Sequence, residues 1–338
     1  MEPARRRSVV DVALREGMVV PVAAGTRARV LDRLRLGDAA FRQLTRAAAL
    51  AVLLLLSGVI VALIAGSLPA FKAFGLGFLT SERWNPVTEK FGALAPIYGT
   101  VVTSFVAMLI AVPVGLMIAF FLTELCPQWL RRPIGIAIEL LAGIPSIIYG
   151  IWGLFIFAPF LQQTLQPFLI HTLGNVPGIA PLFSGPPYGI GVLTAGLILA
   201  IMVLPFVTSI SRDVFDAVPA VLKEAAYGVG CTTWEVARFV VLPFARVGVI
   251  GGVMLGLGRA LGETMAVTFV IGNAHRISAS LLAPGTTISA SIANEFTEAV
   301  GDLYTSSLIA LGLILFVITF IVLAAARYML LRIERRIG

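Results

Sequence analysis

The chain has 338 residues, of which 58% are hydrophobic and only 13% are charged, with a mean hydropathy of +0.97 and a net charge of +7. This composition excludes a water-soluble globular domain. The apolar residues form runs of roughly 20 or more, which is the length of a helix that crosses a bilayer, rather than the short alternating segments of a membrane barrel. We therefore predict an all-α, polytopic membrane protein, because helices pair their own backbone groups inside lipid.

The first segment, residues 1–43, is basic and contains no predicted span. The arginines at 5–7 resemble a twin-arginine signal, but charged residues interrupt the apolar stretch that should follow, and no small-residue cleavage site follows the first span. We interpret 1–43 as a retained cytoplasmic extension. Its part 27–46 mixes arginines with apolar residues, which fits either an amphipathic helix on the anionic inner leaflet or a solvated tail.

We predict six membrane-spanning helices in the rest of the chain. They cover 44–68, 95–122, 134–160, 188–210, 247–271 and 304–327. Residues 69–94 then form an extracytoplasmic loop, 95–327 form a core that contains the last five spans, and 328–338 form a basic tail.

The distribution of Lys and Arg predicts the orientation of these spans. Most of them lie before the first span, in the second and fourth connecting loops and in the tail. The odd-numbered loops contain only Lys72, Arg83, Lys90 and Arg276. Both termini are therefore expected to face the cytoplasm. The positive charge determines topology in this interpretation, so we expect no nucleic-acid partner.

The two cysteines and two histidines suggest no metal site. Cys126 and Cys231 fall in loops predicted to face the reducing cytoplasm, and His171 and His275 lie in separate outer loops. Unpaired thiols and isolated imidazoles are the simpler interpretation, so we expect this chain to bind no metal or cofactor itself.

The fourth connecting loop, 211–246, is long enough for two short helices and a turn. Pro219 suits the first turn of a helix, and Gly228 or Gly230 can end that helix. Thr232 and Glu235 have the spacing of a capping box, so a second helix should begin there.

The remaining residues of this loop predict where the second helix ends and what the loop does. Leu242-Pro243 should end the second helix before the chain re-enters the bilayer. Glu224, Ala225 and Ala226 offer a charge and a surface that a partner can approach closely, with Gly230 after them. The loop is therefore a candidate docking element, and an ordinary amphipathic connector is the alternative.

The fifth predicted span contains charges deep in the bilayer. Gly248, Gly252, Gly256, Arg259 and Glu263 lie within roughly 80° of one another on a continuous helix. The glycines form a ladder that suits close helix packing. Arg259 and Glu263 should therefore point into the protein or a pathway.

A charge near the bilayer centre costs about 2.5–3.5 kcal/mol, so its presence needs a reason. Arg259 and Glu263 can form a self-neutralising pair that locks the bundle. Alternatively, the guanidinium binds an oxyanion through two parallel hydrogen bonds and the carboxylate positions it. We favour the anion site, because apolar residues replace a purely structural pair at little loss.

Hydroxyl groups on two other spans are further candidates for a pathway. Ile144-Pro145-Ser146 interrupts the third predicted span, where proline should kink the helix. Thr100, Thr103 and Ser104 lie on the second span. Ser146 and Thr103 can line a pore, and helix packing is the alternative for each.

Several of these stretches resemble a known family, the PstC-type permeases of phosphate-specific ABC importers. The loop 224–243 is similar to the EAA loop of type I ABC permeases. More specific are 257–267, which contains Gly-Arg-Ala-Leu-Gly-Glu-Thr-Met, together with 144–150 and Trp-Asn-Pro at 84–86. The resemblance covers about residues 70–330 and leaves out the extension 1–43.

The resemblance implies a type I ABC importer permease fold and a multi-subunit complex. Its members would be the sister permease PstA, a dimer of the ATPase PstB and the extracytoplasmic phosphate-binding protein PstS. ATP-Mg would bind to PstB, since no Gly-Lys-Ser/Thr phosphate loop occurs in this chain. The family places transport importance on Arg259 and Glu263, and Thr264 lies in the same stretch.

The resemblance further implies residence in the bacterial inner membrane and leaves the substrate to be tested. A permease for another oxyanion, such as sulfate or molybdate, is the first alternative. A proton-coupled secondary carrier that uses Glu263 is the second. The ATPase-docking residues are expected to be Glu224, Ala225, Ala226, Gly230, Leu242 and Pro243.

Overall fold

The computed structural model describes residues 24–334, with side chains described within 38–332. Residues 5–7 of the predicted extension and the end of the tail lie outside this range. The chain divides into two compact units, Met1–Ala62 and Leu63–Gly338. In the first unit, the helical side chains from 40 to 62 are almost all exposed, as expected for a helix that faces lipid.

The principal helices are numbered here in chain order. They are α1 Ala24–Phe74, α2 Leu94–Leu125, α3 Gln128–Ala142, α4 Ser146–Leu173, α5 Val192–Asp216, α6 Ala220–Gly228, α7 Thr233–Gly262, α8 Met265–Val270, α9 Ile288–Glu295 and α10 Asp302–Glu334. Six of them, α1, α2, α4, α5, α7 and α10, contain segments long and apolar enough to cross a membrane. Within the described range there is no β-strand, only an isolated bridge between Asn85 and Lys90. The predicted all-α fold with six transmembrane helices is confirmed.

The third predicted span, 134–160, is wrong in position. The chain stops being helical after Ala142 and restarts at Ser146, so Pro145 separates two helices instead of kinking one. The residues before the break form α3, which carries Arg131, Arg132 and Glu139 on a polar side. The apolar helix α4 is therefore the third candidate span instead, and it includes residues predicted as an outer loop.

The fourth span also lies further along the chain than predicted, at Val192–Asp216 instead of 188–210. This helix α5 is the most buried of the candidate spans. It packs against α2, where a side chain at Gly196 would meet Val106 Cγ1 at 2.6 Å. The absence of a side chain at Gly196 is what lets the two helices approach.

The fifth predicted span, 247–271, is wrong at both ends. The helix does not stop at Leu242-Pro243, because a π-helical turn over Ala237–Val241 precedes the proline and joins the two parts into α7. The wider turn carries the chain past a residue that cannot donate its backbone N–H. At the other end, α7 stops at Gly262, and Glu263 is extended before α8 begins.

The predicted glycine ladder on α7 does pack closely. A Cβ added at Gly248 would lie 2.5 Å from Val214, and one added at Gly252 would lie 2.9 Å from Ile210. Both contacts are with α5. The ladder thus fixes which side of α7 faces the core, and it sets the direction in which Arg259 points.

At the start of α2, a cluster of aromatic and polar side chains joins four segments. The Glu295 carboxylate accepts hydrogen bonds from Trp84 and from the Tyr304 hydroxyl at 2.7 Å, and it lies 2.7 Å from His275 Nε2. The Trp84 and His275 rings stack at 5.1 Å. The cluster holds the segment before α2 against α9 and α10.

Candidate functional site

The first candidate site is the cleft around Arg259, near the end of α7. The guanidinium carbon lies 4.6 Å from the centre of the Phe206 ring on α5, in a cation–π contact. Both residues line a cleft of about 540 Å³ between α5, α7 and α10, and the other lining residues are mostly apolar, with Thr319 as the polar exception. Phe206 had no signal in the sequence, because one aromatic residue in an apolar span is unremarkable.

Arg259 has no counter-ion among the described residues. Its Nε is buried without a hydrogen-bond partner, and no carboxylate within the described range forms an ion pair with it. Phe206 attracts the positive charge but does not neutralise it. The cleft therefore holds a fixed positive charge that an anion can complete.

Glu263 does not pair with Arg259, so the self-neutralising pair expected as an alternative is wrong for the described residues. The helix ends at Gly262, between the two residues. The prediction that both lie on one helical face therefore does not hold, because it assumed a continuous helix. The Glu263 carboxylate is 9% exposed and accepts from the backbone N–H of Ala266 at 3.5 Å. This long contact joins Glu263 to the first turn of α8, whose N-cap residue Thr264 makes no side-chain capping bond.

Thr264 and Ser146 lie at the two helix starts that meet near this break. The Thr264 hydroxyl donates to the Gly262 carbonyl at 3.3 Å, and Ser146 is the half-buried first residue of α4. The two helices touch, since a Cβ at Gly150 would lie 3.1 Å from Ala266 Cα. The fold thus brings together the neighbourhoods of both predicted pathway hydroxyls.

Thr103 is not part of this group. Its side chain is 1% exposed and donates to the carbonyl of Gly99 at 2.7 Å, one turn earlier in α2. It faces α5, where its own carbonyl lies 3.5 Å from a Cβ built at Gly196. These contacts support the alternative of helix packing. Its neighbour Thr100 accepts from Ile288 N at 2.9 Å and ties α2 to α9.

The second candidate site is the segment between α5 and α7. Here Pro219 occupies the position just before α6, whereas the sequence predicts it within the first turn. Gly230 adopts φ +92°, a left-handed conformation that favours glycine. Thr232 and Glu235 form the predicted capping box, which starts α7.

The predicted docking residues of this segment differ in exposure. Glu224, Ala225 and Gly230 are exposed, whereas Ala226 packs against the apolar cluster beneath the loop. Leu242 and Pro243 are also exposed, but they lie in the third turn of α7 and not on α6. The exposed surface of α6 therefore carries one charge, Glu224, and the apolar side chains of Val221, Leu222 and Tyr227.

One buried ion pair beneath α6 had escaped sequence reasoning. The Lys223 ammonium pairs with the Glu124 carboxylate at the end of α2, and the side chains are 17% and 9% exposed. The sequence shows only a lysine beside the exposed Glu224. Helical geometry was the available signal, because neighbouring residues on a helix point about 100° apart.

Comparisons with known proteins agree with this architecture. The family described as binding-protein-dependent transport system inner membrane component matches residues 111–335. The phosphate transport system permease protein PstC of Mesorhizobium japonicum is 70% identical over 94% of this chain and 98% of its own length. That of Pasteurella multocida is 59% identical over 88% of this chain and 93% of its own length.

Solved transporters share the fold at low sequence identity. A bacterial alginate ABC transporter with its periplasmic protein has a chain that matches with a TM-score of 0.58 and 16% identity, covering 88% of this chain and 97% of that one. An inward facing MetNI methionine ABC transporter matches with a TM-score of 0.51 and 16% identity, over 70% and 94%. The chain thus belongs to the binding-protein-dependent transport system inner membrane components and, within them, to the PstC family of phosphate transport permeases.

Proposed function

We propose that the chain is the permease subunit of an ATP-driven phosphate importer and forms half of its transmembrane pathway. The observation that carries the proposal is Arg259, a cation in an apolar cleft without a counter-ion among the described residues. A multiply charged oxyanion supplies that counter-charge and accepts the parallel hydrogen bonds of a guanidinium. The names of the relatives support phosphate as the anion.

The residues around the break in the fifth span act together in this proposal. Arg259 binds phosphate by charge, and the Phe206 ring holds the guanidinium plane in place. Glu263 acts through structure, because its contact with the Ala266 N–H joins the extended break beside Arg259 to the first turn of α8. Thr264 and Ser146 provide hydroxyls near the same break. Thr103 stays a pathway candidate only through its place on α2, and its contacts favour packing.

The partners in the proposal are PstA, two copies of PstB and PstS. PstB binds ATP-Mg and hydrolyses it, and the exposed face of α6 with Glu224 and Ala225 is its docking surface. The chain lies in the bacterial inner membrane with both termini in the cytoplasm, which places α6 on the side of the ATPase. This orientation rests on the distribution of Lys and Arg.

Transport proceeds by alternating access in this account. PstS docks on the side of Trp84 and releases phosphate into the cavity beside α7. Closure of the PstB dimer on ATP then displaces α6, and the connected spans reorient towards the cytoplasm. Because only a preference between two conformations is needed, ATP binding can bias the equilibrium without contacting the anion site.

The test is reconstitution of the complete complex in vesicles with phosphate-loaded PstS. Phosphate should stimulate ATP hydrolysis and accumulate inside, and excess sulfate should not compete. Stimulation by sulfate or molybdate instead of phosphate would contradict the substrate assignment. Uptake driven by a proton gradient in vesicles that lack PstB would contradict the ATP-driven mechanism and favour a secondary carrier.

A further inference from the structure

Two neighbouring residues on α6 have opposite surroundings. Glu224 is exposed, while the Lys223 side chain is only 17% exposed and points beneath the helix. Burying a lysine is unfavourable unless its charge is paired and hydrogen-bonded. The surroundings of Lys223 therefore indicate what α6 is fixed to.

Lys223 contacts two membrane-spanning helices at once. Its ammonium forms an ion pair with Glu124 in the π-helical turn Phe121–Leu125, which ends α2. The same ammonium donates to the backbone carbonyl of Phe215 at 3.4 Å, in the last turn of α5. One side chain thus joins the short helix to the ends of α2 and α5.

An apolar cluster surrounds this polar contact. Phe215, Val218, Ala119 and Val241 are buried together, and Ala226 of α6 packs against them. Packed cores deform little, so a displacement of α6 must move its neighbours or break the contact. The ammonium of Lys223 adds a specific polar contact to this packing. It connects α6 to Glu124 on α2 and to the Phe215 carbonyl on α5.

Other ion pairs at this end of the bundle do not involve α6. Arg131 pairs with Asp216, with side chains 36% and 41% exposed, and Arg212 pairs with Glu139 at 2.8 Å. These pairs join α3 to α5 and are more open to solvent. Lys223–Glu124 is the most buried ion pair between acidic and basic residues among the described side chains.

We propose that the Lys223–Glu124 pair is the tie that transmits the movement of α6 to α2 and α5, and that it stays closed throughout the transport cycle. Both are positioning residues, since they are proposed to act through the helices that they join. The proposal rests on the proposed function, because it assigns the connection between the ATPase and the pathway. Without the tie, ATP hydrolysis should continue but should move less phosphate for each ATP hydrolysed.

The first experiment measures phosphate moved per ATP hydrolysed in vesicles that contain the full complex. Glu124→Gln and Lys223→Met should each lower this ratio by about fivefold or more, because a buried charge left alone rearranges its surroundings. The charge-reversed double variant Glu124→Lys with Lys223→Glu should restore most of it. Asp216→Asn removes a carboxylate from a neighbouring ion pair and should leave the ratio unchanged.

The second experiment replaces the ion pair with a covalent bridge. Cys126 and Cys231 are free thiols and are first replaced by serine. Cysteines at positions 124 and 223 are then introduced and joined by a short bifunctional thiol reagent in the assembled complex. A tie that stays closed predicts a low ratio before cross-linking and a restored ratio after it.

The outcomes separate this inference from the proposed function. If the unmodified complex shows no phosphate-stimulated ATP hydrolysis, the proposed function fails. If that complex transports phosphate but the single variants keep its ratio, the tie is wrong. Cross-linking that abolishes transport would also overturn it, because the two residues would then have to separate. If a single variant fails to assemble, the decisive measurement is the ratio of phosphate moved to ATP hydrolysed in the double-cysteine complex, before and after cross-linking.

Discussion

The charges at the α6 end of the bundle have different surroundings from the charge of Arg259, near the Gly262 end of α7. At the α6 end, Lys223, Arg131 and Arg212 each pair with a carboxylate. In the last turn of α7, Arg259 has an aromatic ring beside it and no carboxylate paired with it among the described residues. The paired charges can hold helices together without any further partner, whereas Arg259 cannot.

This difference teaches how to separate structural from functional charges in a membrane protein. A cation without a counter-ion is energetically unfavourable in an apolar environment. An unpaired cation is therefore expected only where another interaction offsets this free-energy cost. In the function proposed above, a bound anion supplies the missing negative charge during transport. Glu224 resembles Arg259 in having no ion-pair partner among the described residues, but it is exposed. Its neighbour Lys223, in contrast, is largely buried and paired.

The largest effect is expected at Glu224, which the proposed function assigns to the surface that docks PstB. Glu224→Lys should lower the amount of PstB that co-purifies by at least about tenfold, because reversing a charge at a docking surface replaces attraction by repulsion. Phosphate uptake should fall with it. Glu298→Lys makes the same charge change on an exposed residue after α9 and should have no effect on association. Equal co-purification of both variants would contradict docking through α6.

The comparison becomes sharper if the aromatic ring beside Arg259 is removed. Phe206→Leu keeps an apolar side chain but loses the cation–π contact, which contributes about 2 kcal/mol in a dry environment. We expect uptake to fall by about tenfold with normal assembly, while Phe206→Tyr should retain most of it. Uptake that is unchanged in Phe206→Leu would show that the ring does not position the guanidinium.

A smaller effect is expected at Glu295, which is paired but far from both sites. Burial raises the pKa of its carboxyl, but the hydrogen bonds from His275 and Tyr304 and the His275 charge outweigh this and lower it below the usual 4.5. A lowered pKa stabilises the fold above pH 4.5, and the contribution is lost as the pH falls from there through the folded-state value.

Fluorescence of Trp84 can follow this loss once the other tryptophans are replaced by phenylalanine. Glu295→Gln should destabilise the cluster by about 1–3 kcal/mol at neutral pH, since it removes hydrogen bonds to a charged group. The variant should also lack the additional acid transition of the unmodified chain below pH 4.5. Identical acid profiles for the two proteins would contradict this account of the cluster.

The smallest effect is expected at the exposed pair of Arg131 and Asp216. Solvent screens this pair, so Asp216→Asn should cost only about 0.2–1 kcal/mol of stability. Phosphate uptake and assembly should match the unmodified protein. A large loss of transport would place this pair with the functional charges and weaken the distinction drawn above.

Periodicity and composition predicted much of the fold. Six spans, the glycine ladder on α7 and the capping box at Thr232 could all be read from local sequence. The errors lie where helices break or continue against local signals. Pro145 separates two helices completely, and a π-helical turn carries α7 past Pro243. Both outcomes depend on neighbouring helices, which local sequence does not contain.

The candidate site was predicted in part. Arg259 stood out because a charge in an apolar span is costly, but its ring partner Phe206 lies on another helix, α5, and had no signal. Glu263 was placed on the face of a helix that ends before it, since no proline or glycine pair marks that end unambiguously. The buried pair beneath α6 joins residues 99 positions apart, which spacing rules cannot connect.

The most direct test of the central claim is phosphate uptake by Arg259→Gln in vesicles matched for the amount of assembled complex. Glutamine keeps hydrogen-bonding capacity but removes the charge, and charged hydrogen bonds contribute about 1.5–3 kcal/mol each. The account predicts normal assembly with uptake reduced by at least about tenfold. Normal assembly with uptake at the rate of the unmodified complex would contradict it.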